Sequence, residues 1–322
     1  MSDNAVRFLA AKTFRFVVVL LVILTINFAL PRVLPGDPTY NLLGERATYN
    51  PAYLAELRER MGLGGPLHEQ YGRYLVGLTQ GDLGYSFTFT RPVSDVLRQR
   101  LGWTLLLVGP SVLLGALLAL VFGTLAGWRH WSWLDVSLTS LTVFAHSMPH
   151  YWIAMLAVMV FAYRLSWFPL GQVATGDSAG LAYLGDLMWH LALPLAVLTL
   201  FKASYDFIIV RNTVVSVSGE DHVLVAQSRG VGGLPLLFNH VVRNSLAPLV
   251  TVTALQFGNV FAGALLVEIV FSWPGMGTVI YDAVAGRDYP LLQASFLLIA
   301  VCVIVANFLA DVAYAWLDPR VQ

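Results

Sequence analysis

The stretch LGWTLLLVGPSVLLGALLALVFGTLAGW, residues Leu101–Trp128, contains no charged side chain in 28 consecutive positions. A helix needs about 20 residues to cross the roughly 30 Å hydrocarbon core of a bilayer, so this run can span it. Helices satisfy their own backbone hydrogen bonds in lipid, and the run lacks the alternation of a barrel strand. Five further long apolar runs are Phe14–Leu34, Trp133–Tyr163, Met188–Val210, Leu246–Phe271 and Leu291–Leu317. The sequence therefore predicts an all-α membrane protein with six transmembrane helices.

The composition agrees with a lipid environment. Hydrophobic residues make up 57% of the 322 positions and charged residues only 12%, whereas soluble domains carry about a quarter charged residues. Such a chain has too little polar surface to enclose its core in water. The 19 basic and 19 acidic residues cancel, so net charge gives no indication of a nucleic-acid partner. The single cysteine, Cys302, excludes an intrachain disulfide.

Basic residues near the ends of the apolar runs predict the orientation, because cytoplasmic flanks are enriched in Lys and Arg. No small-residue cleavage site follows the first run, which is expected to stay as a helix. A cytoplasmic N-terminus gives eight basic flanking residues inside: Arg7, Lys12, Arg15, Arg129, Arg211, Arg229, Arg243 and Arg320. Only Arg164 and Arg287 then fall in the short outer loops. Both termini are therefore predicted to be cytoplasmic.

The orientation divides the chain into segments. Residues 1–13 form a cytoplasmic N-terminus, 14–34 the first transmembrane helix, and 35–100 an extracytoplasmic insertion. The insertion is predicted to contain two short helices within Asn50–Leu78, separated by a glycine-rich break. Residues 101–317 form a five-helix core that includes a cytoplasmic loop at 211–245, and 318–322 a cytoplasmic C-terminus.

Motifs for chemistry within the chain are missing. A P-loop needs glycines before a Lys-Ser/Thr pair, and neither of the two lysines, Lys12 and Lys202, follows a glycine. No His-Glu-x-x-His or Gly-x-Ser-x-Gly motif occurs, and nothing indicates that Ser111 meets His190. The sequence predicts no cofactor bound by this chain. An intramembrane enzyme, a channel and a scaffold remain as remoter alternatives.

Ionisable residues inside the apolar runs are costly in lipid and usually mark function or pairing. Lys202 and Asp206 are four positions apart, which predicts a structural ion pair on one helix face. Glu268 and Asp311 have no obvious local partner, so they are candidates for lining a pathway or contacting a neighbouring subunit.

Two histidines are also four positions apart, His146 and His150, with Pro149 between them. Proline distorts the helix that such a pair needs to bind a metal, and no third ligand accompanies it. No metal site is predicted. The two histidines remain candidates for lining the pathway or contacting a partner.

The segment EDHVLVAQSRGVGGLPLLFNHVVRNSLAP, Glu220–Pro248, interrupts the apolar pattern within the predicted cytoplasmic loop. Glu220 and Asp221 suit a helix start, where negative charge interacts favourably with the helix dipole. Glycines from Gly230 onward end this helix, and a second short one follows, with Val223, Ala226 and Gln227 on one face of the first. Ala226 and Gly230 are small enough for another protein's surface to approach closely.

This segment resembles the coupling loop of ATP-binding-cassette (ABC) importer permeases, and in particular the dipeptide, oligopeptide and nickel permease subfamily. The resemblance rests on the spacing of Ala226, Gly230, His240, Arg243, Asn244 and Pro248. Leu224-Val225-Ala226 stands where that family has Glu-Ala-Ala. Further similar motifs are LPGDP at Leu34–Pro38, GDLGYSF at Gly81–Phe87, SMPHYW at Ser147–Trp152, EIVFSWPGMG at Glu268–Gly277, RDYPLLQ at Arg287–Gln293 and LDPRV at Leu317–Val321.

The resemblance implies the type I ABC importer permease fold and alternating access in a bacterial or archaeal cytoplasmic membrane. The implied partners are a second homologous permease subunit, two subunits that bind ATP and Mg, and an extracytoplasmic binding protein. Implied contacts to the ATPase are Glu220, Asp221, Ala226, Arg229, Gly230, His240 and Arg243. An external motif comprises Gly36, Asp37, Trp273, Pro274 and Gly275. Peptides are the first expectation for the cargo, and nickel or a metal chelate is the alternative.

Overall fold

The computed structural model describes residues 3–33, 64–174, 180–258 and 260–317, and these residues are almost entirely helical. A single short hairpin pairs β1 (Tyr85–Ser86) with β2 (Arg91–Pro92) in the described residues. The helices are α1 (Asp3–Val33), α2 (Leu67–Thr79), α3 (Val93–Trp128), α4 (Trp133–Ser147), α5 (His150–Ala157), α6 (Leu181–Ser218), α7 (Asp221–Ser228), α8 (Gly233–Leu236), α9 (Arg243–Gly258), α10 (Val260–Val270), α11 (Met276–Ala285) and α12 (Tyr289–Leu317). Wider π-helical turns extend α5 through Val158–Arg164 and α8 through Leu237–Val242.

Several of these helices are membrane spans by length and composition. Within the described residues, α3, α6 and the Tyr289–Phe308 part of α12 are each long and apolar enough to cross a bilayer. The α4 helix and the extended α5 pass the same test only as a bent pair, the geometry of either a broken span or a re-entrant loop. The multi-pass helical architecture is therefore confirmed, whereas the count of six spans stays a prediction.

The third predicted helix, Trp133–Tyr163, is wrong as a single straight element. It is divided at Met148 and Pro149, and the two halves are bent by 97°. Pro149 has φ −58° and ψ 129°, so its backbone is extended and it begins α5 as the N-terminal flanking residue. A proline has no N–H to donate and clashes with the preceding turn, which accounts for the break at this position.

Other helices extend beyond the apolar runs that predicted them. The α3 helix begins at Val93 rather than Leu101, and α6 covers Leu181–Ser218 rather than Met188–Val210. Polar residues at these ends belong to the helix but are invisible to a search for hydrophobicity. The predicted loop at 211–245 is accordingly shorter than expected. The second predicted helix of the insertion is confirmed as α2, and the first lies outside the described residues.

The chain divides into two compact units. One comprises Met1–Gly102 and Thr278–Ile304, and the other comprises Trp103–Gly277 and Val305–Gln322. In the first unit, the Asn27 amide on α1 donates to the Gln293 carbonyl on α12 at 2.5 Å. The hydroxyl of Ser86 in the hairpin donates to Asp288 Oδ2 at 2.6 Å. Buried polar contacts between segments distant in sequence therefore stabilise this unit.

In the second unit, α3 packs closely against α6. A Cβ atom at Gly123 would lie 2.9 Å from Val210 Cβ, and one at Gly127 would lie 2.8 Å from the Arg211 carbonyl oxygen. Small residues let helix backbones approach in a membrane, where packing rather than hydrophobic burial drives association. The two glycines thus position α6, the helix that leads into Gly219 and the residues after it.

Candidate functional site

The residues between α6 and α9, Gly219–Val242, are called the coupling segment below. The helix–turn–helix prediction for this part of the chain is confirmed. Glu220 precedes α7 in an extended conformation without a side-chain capping bond, and Asp221 lies in the first turn. After α7, Gly230 has φ +84°, a left-handed conformation that glycine adopts without steric cost. The chain then turns into α8.

The inner face of the coupling segment belongs to the hydrophobic core of its own unit. Its buried members are Val223, Ala226, Leu236, Leu237 and Val241, and they pack with residues of α3, α6 and α9. Ala226 is only 7% exposed. The prediction that its small side chain offers a surface to another protein is therefore wrong, because its own chain covers it. The coupling segment is a packed extension of the membrane helices.

The outer face of the same segment is apolar and exposed. Leu224 and Val225 on α7 are 50% and 48% exposed, and Leu234 and Phe238 after the turn are 66% and 58% exposed. Exposed apolar patches of this kind usually mark interaction surfaces. Sequence reasoning treated Leu224 and Val225 only as departures from a motif. The available signal was that α7 carries apolar residues on both of its faces.

Polar contacts connect α7, at the beginning of the coupling segment, with the residues around the start of α9. The Asn244 amide on α9 donates to the His240 carbonyl at 2.9 Å and lies 2.9 Å from His222 Nε2 on α7. His222 Nδ1 lies 3.2 Å from a Glu220 carboxylate oxygen. His240 thus takes part in these contacts through its backbone carbonyl. Arg229, at the end of α7, and Arg243, at the start of α9, are exposed.

A buried ion pair joins α6 to the beginning of α4. Arg211 Nε donates to Asp135 Oδ1 at 2.9 Å, and the second terminal nitrogen donates to Asp135 Oδ2 at 2.7 Å. The Asp135 side chain is 2% exposed and that of Arg211 20%. This pair was not predicted from the sequence, in which Arg211 stands out only as a charge at the cytoplasmic end of an apolar run. An aspartate inside the apolar run Trp133–Tyr163 was the available signal.

The predicted ion pair of Lys202 with Asp206 is wrong. Among the residues that the structure describes, Lys202 has no carboxylate within 4 Å. Asp206 instead accepts a hydrogen bond from the Gln256 amide on α9. Residues four apart on a helix differ by about 40° in direction, and here Lys202 Cβ faces Gly115 on α3. Asp206 is therefore held by α9 rather than by a direct contact with Lys202, although the two charges still interact at longer range.

Glu268 has the local partners that the sequence did not reveal. Its carboxyl accepts from the Thr104 hydroxyl at 2.7 Å and from the Gly277 N–H at 2.6 Å, and the residue is 1% exposed. The carboxyl is thus enclosed and hydrogen-bonded inside its own unit. The expectation that Glu268 lacks a local partner is therefore wrong, whereas a role in the pathway or in contact with a neighbouring subunit stays a prediction.

The turn that follows Glu268 contains Trp273, Pro274 and Gly275. Trp273 is 0% exposed, and its indole N–H donates to the Trp103 carbonyl at 2.9 Å. A Cβ atom on Gly275 would overlap the Glu268 carboxyl. The turn is thus built around the buried carboxyl, and the side chain of Trp273 is not available to an external partner. Gly36 and Asp37, the other members of this predicted motif, lie outside the described residues.

The two predicted pathway histidines lie beside aromatic residues of α6. His146 stacks with Phe201 at a ring-centroid distance of 5.7 Å, and the His150 ring lies 5.0 Å from the same ring. His146 is exposed and His150 half-buried. The side chain of Asp311 lies outside the described part of the chain. Among the described side chains, no group of three or more His, Cys, Asp or Glu could hold a metal ion.

Together these features define a class of protein: a multi-pass helical membrane protein with a packed segment that exposes an apolar face between two membrane helices. The chain belongs to the family described as the binding-protein-dependent transport system inner membrane component, whose model matches residues 119–322. The N-terminal model of the same family matches residues 5–108. The chain is therefore the permease subunit of an ABC importer, which works with an ATPase and a substrate-binding protein.

Named relatives cover nearly the whole chain. It is 34% identical to the di/tripeptide transport system permease protein of Pseudomonas aeruginosa, over 92% of this chain and 93% of the relative. It is 31% identical to the oligopeptide transport system permease protein of Bacillus subtilis, over 98% and 99%. The dipeptide transport system permease protein of Alkalihalophilus pseudofirmus is 31% identical, over 92% and 93%.

Proposed function

We propose that this subunit forms half of the translocation pathway of an ATP-driven peptide importer. The other half comes from a second homologous permease subunit. Two ATP-binding subunits hold ATP and Mg, and an extracytoplasmic binding protein delivers the peptide. The permease contributes no ATPase site of its own. Closure of the ATPase dimer moves the coupling segments, and the attached helices alternate between outward-facing and inward-facing states.

The two-faced coupling segment is the observation that carries this proposal. Its inner face shares a core with α3, α6 and α9, so displacement of the segment must displace these helices. Its outer face is apolar and exposed, which suits docking against an ATPase subunit. Gly230 provides the turn between α7 and α8. Arg229 and Arg243 supply polar contacts at the margins, and Glu220 and Asp221 provide negative charge at the start of α7.

The proposal includes a transmembrane topology. Six helices cross the membrane with both termini in the cytoplasm, as the distribution of basic residues favours. Residues 35–100 then form an extracytoplasmic insertion, except that its last residues begin α3. The turn at Trp273–Gly275 lies on the same outer side. His146, His150, Glu268 and Asp311 remain the candidates for residues that line the pathway or contact a partner.

Di- and oligopeptides are the proposed cargo. The relatives that match over nearly the full chain are named as dipeptide, di/tripeptide and oligopeptide permeases. None of these names refers to nickel, so the nickel or metal-chelate alternative is not favoured.

The test uses the whole importer reconstituted in lipid nanodiscs with its binding protein. ATPase activity is measured with the binding protein empty, loaded with di- or tripeptides, and loaded with a nickel chelate. Peptide-loaded binding protein is expected to stimulate ATP hydrolysis most strongly. Stimulation by the chelate alone would overturn the peptide assignment. Failure of an ATPase subunit to copurify with this chain would overturn the importer assignment.

A further inference from the structure

The ion pair of Asp135 with Arg211 has a geometry that fixes orientation as well as distance. Two parallel hydrogen bonds of 2.9 and 2.7 Å connect the guanidinium to both carboxylate oxygens. Such bidentate pairs tolerate less rotation than a single contact between point charges. Residues 135 and 211 are 76 positions apart, so the pair joins two separate helices, α4 and α6.

The carboxylate of Asp135 is also fixed to its own surroundings. The Trp131 N–H donates to Oδ2 at 3.0 Å, and the Thr139 hydroxyl donates to Oδ1 at 3.3 Å. The Asp135 N–H in turn donates to the Ser132 hydroxyl, which caps α4. The connection between α3 and α4 and the first turns of α4 therefore form one hydrogen-bonded group with Arg211.

Arg211 lies about two helical turns before the end of α6. The helix continues without a break to Ser218, and only Gly219 and Glu220 separate it from α7. On another side of α6, Gly127 of α3 packs against the Arg211 carbonyl oxygen. A displacement of the coupling segment thus reaches Arg211 through a continuous helix before it reaches any other charged contact of α6 in the described residues.

From these contacts we propose that Asp135 and Arg211 are positioning residues that form a mechanical joint between the coupling segment and the bent α4–α5 pair. When the ATPase moves the coupling segment, the motion passes along α6 to Arg211. The ion pair with Asp135 then makes α4 move together with α6. The bend at Met148–Pro149 then moves together with His146 and His150 beside Phe201. This inference rests on the proposed function, because it needs an ATPase to move the coupling segment.

The first test compares Arg211→Lys and Asp135→Asn with the unsubstituted chain in the reconstituted importer. Lysine keeps the positive charge but loses the fork of two hydrogen bonds. Arg164→Lys serves as a matched control, because Arg164 is exposed at the end of the extended α5. The readout is the number of peptides taken up per ATP hydrolysed. A purely structural role would lower the amount of assembled importer and leave this ratio unchanged.

The ratio is expected to fall about three- to tenfold in both variants, which is typical for residues that couple two sites, and to stay constant in the control. An unchanged ratio in an assembled Arg211→Lys importer would overturn the joint. Failure of the proposed function is distinguishable, since it appears as absent peptide uptake by the unsubstituted importer.

A second measurement follows the relative motion of α4 and α6 directly. Spin labels are attached at exposed Ser216 on α6 and exposed Leu141 on α4, with Cys302→Ser to remove the native thiol. The distance between the labels is measured without nucleotide and with trapped ATP. It is expected to stay constant when Arg211 is present, because the two helices move together, and to change when Arg211→Lys is introduced. A nucleotide-dependent change in the chain that retains Arg211 would refute the joint.

Discussion

Thr104→Val tests the buried support of the turn between α10 and α11. The Thr104 hydroxyl donates to Glu268 Oε1 at 2.7 Å and accepts from the Met276 N–H at 2.8 Å. Thr104 is 1% exposed, as is Glu268. Valine has nearly the same shape as threonine, so the substitution removes two hydrogen bonds without creating a cavity. Any loss of stability then reports on those two bonds.

The expected cost follows from the two groups that lose their partner. A buried polar group without a partner costs about 1–3 kcal/mol, whereas hydrogen bonds between membrane helices average about 0.6 kcal/mol. For the two groups together, the cost is about 1 kcal/mol if both find new partners. It is about 4 kcal/mol if both stay unpaired, at about 2 kcal/mol for each group. We expect a value near the upper end, because the second acceptor oxygen of Glu268 is already occupied by the Gly277 N–H.

The assay is thermal unfolding of the purified importer at a fixed heating rate, followed by the fraction that stays monodisperse. At about 2 °C per kcal/mol for a chain of this size, the apparent Tm should fall by about 5–8 °C. Thr104→Ser keeps the hydroxyl and is expected to change Tm by less than about 2 °C. Equal Tm values for the valine and serine variants would show that the hydroxyl does not support the turn.

Three other predictions concern the coupling segment and its connection to α3. Gly230→Val should abolish peptide uptake while the chain still inserts, because valine strongly disfavours φ +84°; normal uptake in membrane vesicles would contradict this. Phe238→Asp should reduce copurification of the ATPase subunit at least about tenfold, whereas Leu170→Asp, exposed elsewhere, should not. Gly127→Ala should lower stability by about 1–3 kcal/mol, because its Cβ would overlap α6. Gly109→Ala meets no atom within 4 Å, so equal Tm values for these two variants would refute the close packing.

Local patterns predicted much of the fold and part of the site. The apolar run from Leu101 identified α3. The spacing correctly placed Val223 and Ala226 on one face of α7, whereas Gln227, expected on the same face, is exposed. The sequence could not reveal which of the two apolar faces of α7 is buried, because that depends on how α7 packs against α3, α6 and α9. Nor could it pair Asp135 with Arg211, since their contact requires a specific packing of α4 on α6.

The bend between α4 and α5 is a second feature that the apolar pattern alone does not predict. Pro149 predicts a distortion between the two histidines, whereas the length of the apolar run predicts one long helix. The chain resolves this conflict by ending α4 at Ser147 and starting α5 at His150. Pro149 lies just before α5, where its missing N–H removes no hydrogen bond from the interior of a helix, so the proline costs little there.

Two kinds of contact hold the coupling segment to the membrane helices, and they should respond differently to substitution. Apolar packing around Val241 holds the segment against α6, but hydrophobic burial is non-directional. The fork between Arg211 and Asp135 fixes the direction in which α4 follows α6.

Val241→Ala should therefore lower the stability of the importer by about 1–2 kcal/mol through the lost burial and the cavity. The number of peptides transported per ATP should remain normal in Val241→Ala. In Arg211→Lys this number should fall, with a smaller change in Tm. Both quantities are measured on the same reconstituted samples. If Val241→Ala uncouples transport as strongly as Arg211→Lys, packing alone transmits the motion and the ion pair has no separate role.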